Sequence, residues 1–304
     1  MAVDPGVSQI RPRTFVVDAH THIFSPEIIS GRATLLAREL WFEQLYTNPN
    51  ARLASAADIL VSMTTAGVSR SIVCGFPWRD LGLCRAHNDY LAEAARESNG
   101  ALAWLGIVPP GGGAEAAREV ERVFSLGASG LGELNADAQD FDLTEAEDFG
   151  AVAEVCRAAS RPVMLHASEP VGHAYPGKGT ATPEKILSFV SRFPDLSIVL
   201  AHWGGGLPFF ELMPEVRATL QNVIYDCSAS TYLYRFDIFP IATGIVGADR
   251  VLFGSDYPIL GQARFLRRVL NSGLGPKVLP AVLSENAQRV YRLPPLHLEE
   301  GHLS

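Results

Sequence analysis

The chain has 304 residues, 47% of them hydrophobic and 19% charged, with 25 basic against 33 acidic side chains and a net charge of −8. That composition excludes a disordered protein and a general electrostatic affinity for nucleic acid or an anionic membrane, which leaves a small molecule as the expected partner. Cys74, Cys84, Cys156 and Cys227 form no CxxC pair and sit mostly in apolar runs, and neither a signal peptide nor a membrane-length apolar stretch is present, so a reduced, cytoplasmic protein is expected.

The first apolar run, TFVVDAH at 14–20, reads as a strand, and the segment 24–54 after it as a long insertion and potential lid. ASAADILVSMTTAG then has helical apolar spacing, followed by a strand SIVCGF (71–76), a helix CRAHNDYLAEAARES, a strand ALAWLGIVP (101–109) and a helix AEAAREVERVFSLG. SGLGEL (129–134), the helix EAEDFGAVAEVCRAAS, RPVMLHA (161–167) and the helix PEKILSFVSRF continue the alternation. LSIVLAH (196–202), NVIYDCS (222–228) and RVLFGSD (250–256) are the last strand candidates, with helices in ARFLRRVLNS and PKVLPAVLSENAQRVY. Alternating strands and helices favour a parallel sheet covered by helices, and eight such units in this length fit a (β/α)8 TIM barrel, one domain over 1–304. An open doubly wound sheet is the competitor, without support from a GxGxxG turn after the first strand.

Enzymes on this barrel build their sites at the C-terminal ends of the strands, and ionisable residues gather there. Asp18, His20 and His22 close the first strand, and their alternate spacing places all three on one face of a regular strand. Glu133, His166, His202 and Asp256 close four others. One such histidine alone is adequately explained by a structural hydrogen bond. The converging set supplies the imidazole nitrogens and carboxylate oxygens that borderline divalent metals prefer, and without a cation its carboxylates would repel.

With these motifs in this order, DAHTH (18–22), GELN (132–135), LHASEPVGH (165–173), AHWGG (201–205), GSDYP (254–258) and ENAQRVY (285–291), the chain resembles the metal-dependent amidohydrolase superfamily. The closest likeness is to the branch of aminocarboxymuconate-semialdehyde decarboxylase-like enzymes and lactone hydrolases. The resemblance implies that His20 and His22 hold one ion and that Asp256 touches both that ion and its water. His166 and His202 either hold a second ion, with Glu133 as the bridge where other members have a carbamylated lysine, or His166 joins the first ion and His202 acts as an acid beside it. One or two ions therefore remain open, with zinc favoured by the nitrogen-rich set and manganese as the other candidate. Asp18 is expected either to fix a backbone turn or to orient an imidazole.

The expected reaction is hydrolysis of a small ester, lactone or amide, with metal-activated water and Asp256 as the proton carrier. Non-oxidative decarboxylation of a small unsaturated or aromatic acid is the alternative, and a non-catalytic metal-binding barrel is the reading from another class. A substrate carboxylate or lactone would meet Arg79 and Lys178, and Trp78, Trp203 and Tyr232 would line an apolar or planar pocket, with His173 and Tyr175 in the loop beside Lys178. Each of these loop residues has an equally available packing or solvated role. GKG in that loop lacks the spacing of a phosphate-binding loop. The apolar stretch LLARELWFEQLY (35–46) would cover the mouth or join a second subunit in a homo-oligomer.

Overall fold

The structure is a computed structural model that describes residues 15–295, so Thr14 of the first expected strand lies outside the described residues. Its strands are β1 Val17–His22, β2 Arg70–Cys74, β3 Leu102–Gly106, β4 Gly130–Leu134, β5 Val163–Leu165, β6 Ile198–Leu200, β7 Val223–Asp226 and β8 Val251–Leu252. They form one parallel sheet in chain order. The sheet closes on itself, because Ala19 N donates to Phe253 O at 2.8 Å and His22 N to Tyr257 O at 2.6 Å. The fold is the expected (β/α)8 barrel.

A helix follows each strand: α1 Ala56–Ala66, α2 Leu81–Glu97, α3 Gly113–Ser125, α4 Ala146–Ala159, α5 Pro183–Arg192, α6 Pro214–Thr219, α7 Ile238–Val246 and α8 Gln262–Leu270. Local chemistry sets several of their ends. Ser55 caps α1 in a reciprocal box with Asp58, and Gly67 ends it with a left-handed φ of 72°. The helices α6 and α7 are absent from the sequence expectation for physical reasons: α6 is only a turn and a half, and IFPIATGIV in α7 has no polar stripe to reveal a period.

Strand residues face two ways. Ile72, Leu105, Met164, Val199, Ile224 and Leu252 fill the barrel interior, while Val73, Trp104, Leu131, Val163, Ile198 and Val223 pack outward beneath the helices. Ala287, Val290, Tyr291 and Leu293 of the C-terminal segment join the interior cluster. The long helix expected there is instead a π-turn, Ala281–Glu285, running into Asn286–Val290.

In β1 the alternation breaks. Its register on β2 shifts between Asp18 and Thr21, a bulge of the kind found beside active sites. Val17 and Ala19 face the interior, so Asp18 points outward while His20 and His22 both turn inward. The shared face expected for Asp18, His20 and His22 is thereby corrected: the bulge removes Asp18 from it.

The insertion after β1 holds three short helices, Pro26–Ser30, Arg32–Leu36 and Leu40–Tyr46. Arg32 stitches them by donating to the carbonyls of Tyr46 and Ala51 at 3.0 and 3.1 Å. No helix among the described residues is long and apolar enough to cross a membrane.

Candidate metal centre

Two donor sets meet at the C-terminal mouth of the barrel. His20, His22 and Asp256 form one, and Glu133, His166 and His202 the other, with the ligand atoms of each set within 4.8 Å of one another. His20 Nε2 lies 3.0 Å from His22 Nε2 and 3.8 Å from Asp256 Oδ1. Ligands at about 2.1 Å from a tetrahedral ion stand about 3.4 Å apart, so these separations fit a divalent cation. Glu133 faces both sets. Its Oε2 is 3.6 Å from the Nε2 atoms of His20 and His22, and its Oε1 is 2.9 Å from His166 Nδ1 and 3.3 Å from His202 Nε2.

Each imidazole is held by its other nitrogen, which fixes its tautomer and direction. His20 Nδ1 is 2.7 Å from Asp226 Oδ2, His22 Nδ1 is 3.1 Å from the Gly75 carbonyl, and His202 Nδ1 is 2.8 Å from Ser228 Oγ. His166 is turned the other way, with Nε2 at 3.2 Å from Ser168 Oγ. The backbone at the strand ends is bent to present these groups: His202 and Asp256 adopt left-handed φ values of 57° and 63°, uncommon for residues with a side chain.

The electrostatics call for positive charge. Burial opposes an imidazolium at His20, yet the carboxylates of Asp226 and Glu133 outweigh it and hold its proton well above the ordinary histidine range. His202 is likewise penalised by burial but raised by Glu133 and Asp256, to about 9. His22 is pushed down by burial and by neighbouring His20. Burial would raise Glu133 and Asp226; the imidazoles beside them hold both carboxyls below their usual range instead. Protons on His20 and His202 thus balance the acids where a cation would otherwise sit.

Asp226 is the main site residue that sequence reasoning missed. It holds His20 through one oxygen, and through the other it accepts from His202 N at 3.1 Å and from the Ser228 hydroxyl. Its signal was available, since it ends the apolar run VIY as the other site residues end theirs. Asp18 has the structural role of its two alternatives. It accepts from Ser255 N at 2.8 Å, Ser255 Oγ at 2.6 Å and Gln262 Nε2 at 2.8 Å, pinning β1 to the turn that carries Asp256.

The loop residues expected to meet substrate divide between the core and the surface loops. Trp78 is fully buried and donates to His87 Nδ1 at 2.9 Å, and Trp203 is fully buried and donates to Ser230 Oγ at 2.8 Å. Both are core residues, because an indole with its N–H satisfied packs well beneath a loop. Arg79 is mostly exposed and pairs with Asp140. Lys178 is consumed within its own loop, donating to the carbonyls of Val171 and His173 at 2.8 and 3.2 Å beside Glu169, which also accepts from Tyr175 Oη at 3.0 Å. His173 and Tyr232 are exposed.

Two aromatic residues of the insertion lie close to the donor cluster. The Trp41 ring stands edge-on to His166 with centroids 6.2 Å apart. Tyr46 is buried, and burial together with Asp256 and Glu133 raises its phenol.

A closed (β/α)8 barrel whose strand ends converge two sets of metal donors is a metal-dependent enzyme scaffold. The chain belongs to the amidohydrolase family, which it matches over residues 17–293. Solved structures agree in fold. The chain is similar to 5-carboxyvanillate decarboxylase from Sphingomonas paucimobilis (TM-score 0.77, 19% identity, covering 92% of this chain and 100% of that one). It also resembles 5-carboxyvanillate decarboxylase from Novosphingobium aromaticivorans with manganese and 4-hydroxy-3-methoxy-5-nitrobenzoic acid (0.76, 19%, 93% and 97%). A third is dihydroxybenzoic acid decarboxylase from Polaromonas sp. JS666 with manganese and 2-nitroresorcinol (0.70, 21%, 92% and 97%).

Proposed function

We propose that this chain is a metal-dependent, non-oxidative decarboxylase of a small aromatic or unsaturated carboxylic acid. The observation that carries this reading is the placement of His202: a buried imidazole with Nε2 directed at the donor cluster 3.3 Å from Glu133 and Nδ1 held 2.8 Å from Ser228 Oγ, beside carboxylates that favour its protonated form. Replacing a carboxylate by hydrogen needs such an acid, charged at neutral pH and fixed beside the substrate. The similarity to three decarboxylases of hydroxylated benzoates, along more than nine-tenths of each chain, supports the same choice over hydrolysis.

His20, His22 and Asp256 would hold the ion, manganese or zinc, with Glu133 and His166 adjacent. When bound, the ion supplies Lewis-acid polarisation of substrate oxygens. The bond between the substrate carbon and its carboxylate breaks, its electron pair stays on carbon, and the His202 Nε2 proton is delivered there as carbon dioxide leaves. Ser228 on Nδ1 keeps the imidazole aimed, and Asp226 stabilises the charged form before transfer. Solvent then returns the proton.

A second reading is hydrolysis of a lactone, ester or amide, with Asp256 taking a proton from water. The two-faced Glu133, one oxygen toward each donor set, favours it, since that is how a bridging carboxylate would sit between two ions. The test is reconstitution with manganese or zinc, metal analysis, and assay against hydroxylated benzoates and small lactones. Carbon dioxide release with one ion per chain is expected. Two ions with lactone opening and no carbon dioxide would replace the proposal by hydrolysis, and inactivity on both panels would favour a non-catalytic barrel. Sizing of the same sample tests for a homo-oligomer.

A further inference from the structure

The sequence offers four tryptophans, and the fold buries Trp78, Trp104 and Trp203. Trp41 alone is part-exposed, and it alone meets the donor cluster, at 75° to the His166 ring. It is carried by the helix Leu40–Tyr46, whose Phe42 and Tyr46 anchor it by packing on Phe24 just beyond β1, at centroid distances of 6.4 and 5.6 Å.

The far edge of the indole is seated on the loop after β5. A Cβ added at Gly179 would lie 3.4 Å from Trp41 Cη2, ordinary contact, and 2.3 Å from Asp137 Oδ2, so the segment after β4 requires the glycine here and the indole rests beside it. Gly179 N donates to Ser168 Oγ at 2.9 Å, and that same hydroxyl meets His166 Nε2 at 3.2 Å. One chain of contacts therefore fixes the indole against His166 from two sides.

We infer that Trp41 is the specificity-determining wall of the substrate site, selecting acids that carry a planar ring over extended or saturated ones. This deepens the decarboxylase reading and rests on it for the substrate class. A rigid indole beside an imidazole of the donor cluster adds offset or edge-on contact to a ring held in the cluster and gives little to a chain that lacks a π-face. A hydroxylated benzoate fits this wall; an acyclic dicarboxylate does not use it.

The experiment compares manganese-loaded wild type, Trp41→Phe and Trp41→Leu by calorimetric titration with 4-hydroxy-3-methoxy-5-nitrobenzoate and with the saturated acyclic dicarboxylate adipate, alongside metal analysis and thermal melts. Trp41→Leu should weaken the benzoate about tenfold while changing adipate and metal content little, and Trp41→Phe should recover most of the loss. Equal weakening for both acids, or no change for either, overturns the assignment, as does wild type that binds no ring-bearing acid. Binding is read without turnover, so benzoate binding lost in Trp41→Leu, with no carbon dioxide from wild type, would keep the Trp41 wall and overturn decarboxylation alone.

Discussion

Asp226 touches four groups at once: His20 Nδ1, the backbone N–H groups of His202 and Ser228, and the Ser228 hydroxyl. Asp226→Asn keeps the shape but removes the charge that holds the His20 proton well up, and it presents an N–H to at least one donor. Metal affinity or activity should fall by 10- to 100-fold, as for other carboxylates behind a ligand imidazole, with the fold intact by circular dichroism. Unchanged metal content and kcat/KM would show that His20 needs no such partner. Asp18 makes a different prediction. Burial raises its carboxyl to about 6 despite four donors, so the fold favours the neutral form, and that stability is present below about 4 and lost as pH rises through about 6. The shift of roughly two units corresponds to roughly 3 kcal/mol. Denaturant melts of wild type and Asp18→Asn from pH 4.5 to 7.5 should diverge in the variant's favour; parallel curves would refute the raised carboxyl.

At the scale of elements, the eight strands were legible because each is a short apolar run, and a polar residue ends six of them, which places His20, Glu133, His166, His202 and Asp256 at one mouth. What it cannot show is a bulge. A period of two assigns Asp18 to the histidines' face, and only the register shift against β2 moves it outward, a property of pairing rather than of the local sequence. The aromatics around the mouth were illegible for a related reason: Trp41, on a short helix of the insertion, and Trp78, in the loop after β2, carry no local signal, and tertiary packing alone decides that one meets His166 while the other is buried on His87. The C-terminal segment carries its own prediction. Tyr291 fills the barrel interior, and among the described residues its buried hydroxyl has no partner. Tyr291→Phe removes that unpaired group and should raise stability by about 1 kcal/mol, read as a higher melting temperature. A loss of similar size would mean that the hydroxyl is satisfied after all.

For the molecule as a whole, the decisive quantity is how much positive charge the mouth of the barrel holds and in what form. In the metal-free protein that charge is carried by protons, on His20 well above the ordinary range and on His202 to about 9. The His202 contribution to stability is complete below the ordinary histidine value of 6.5 and lost as pH rises through about 9, so metal-free protein should melt progressively lower across that window. A cation must displace protons to reach ligand nitrogens, so its apparent affinity rises with pH over the same window. Their number separates the two readings. An ion held by His20, His22 and Asp256 displaces the His20 proton and leaves His202 charged as an acid, releasing about one proton at pH 7.5; a second ion at His202 would release about two in all. Titration calorimetry of metal into metal-free protein, in buffers of different ionisation enthalpy, counts them. About one proton is what decarboxylation by a charged His202 requires, and about two would leave that imidazole without the proton the reaction needs.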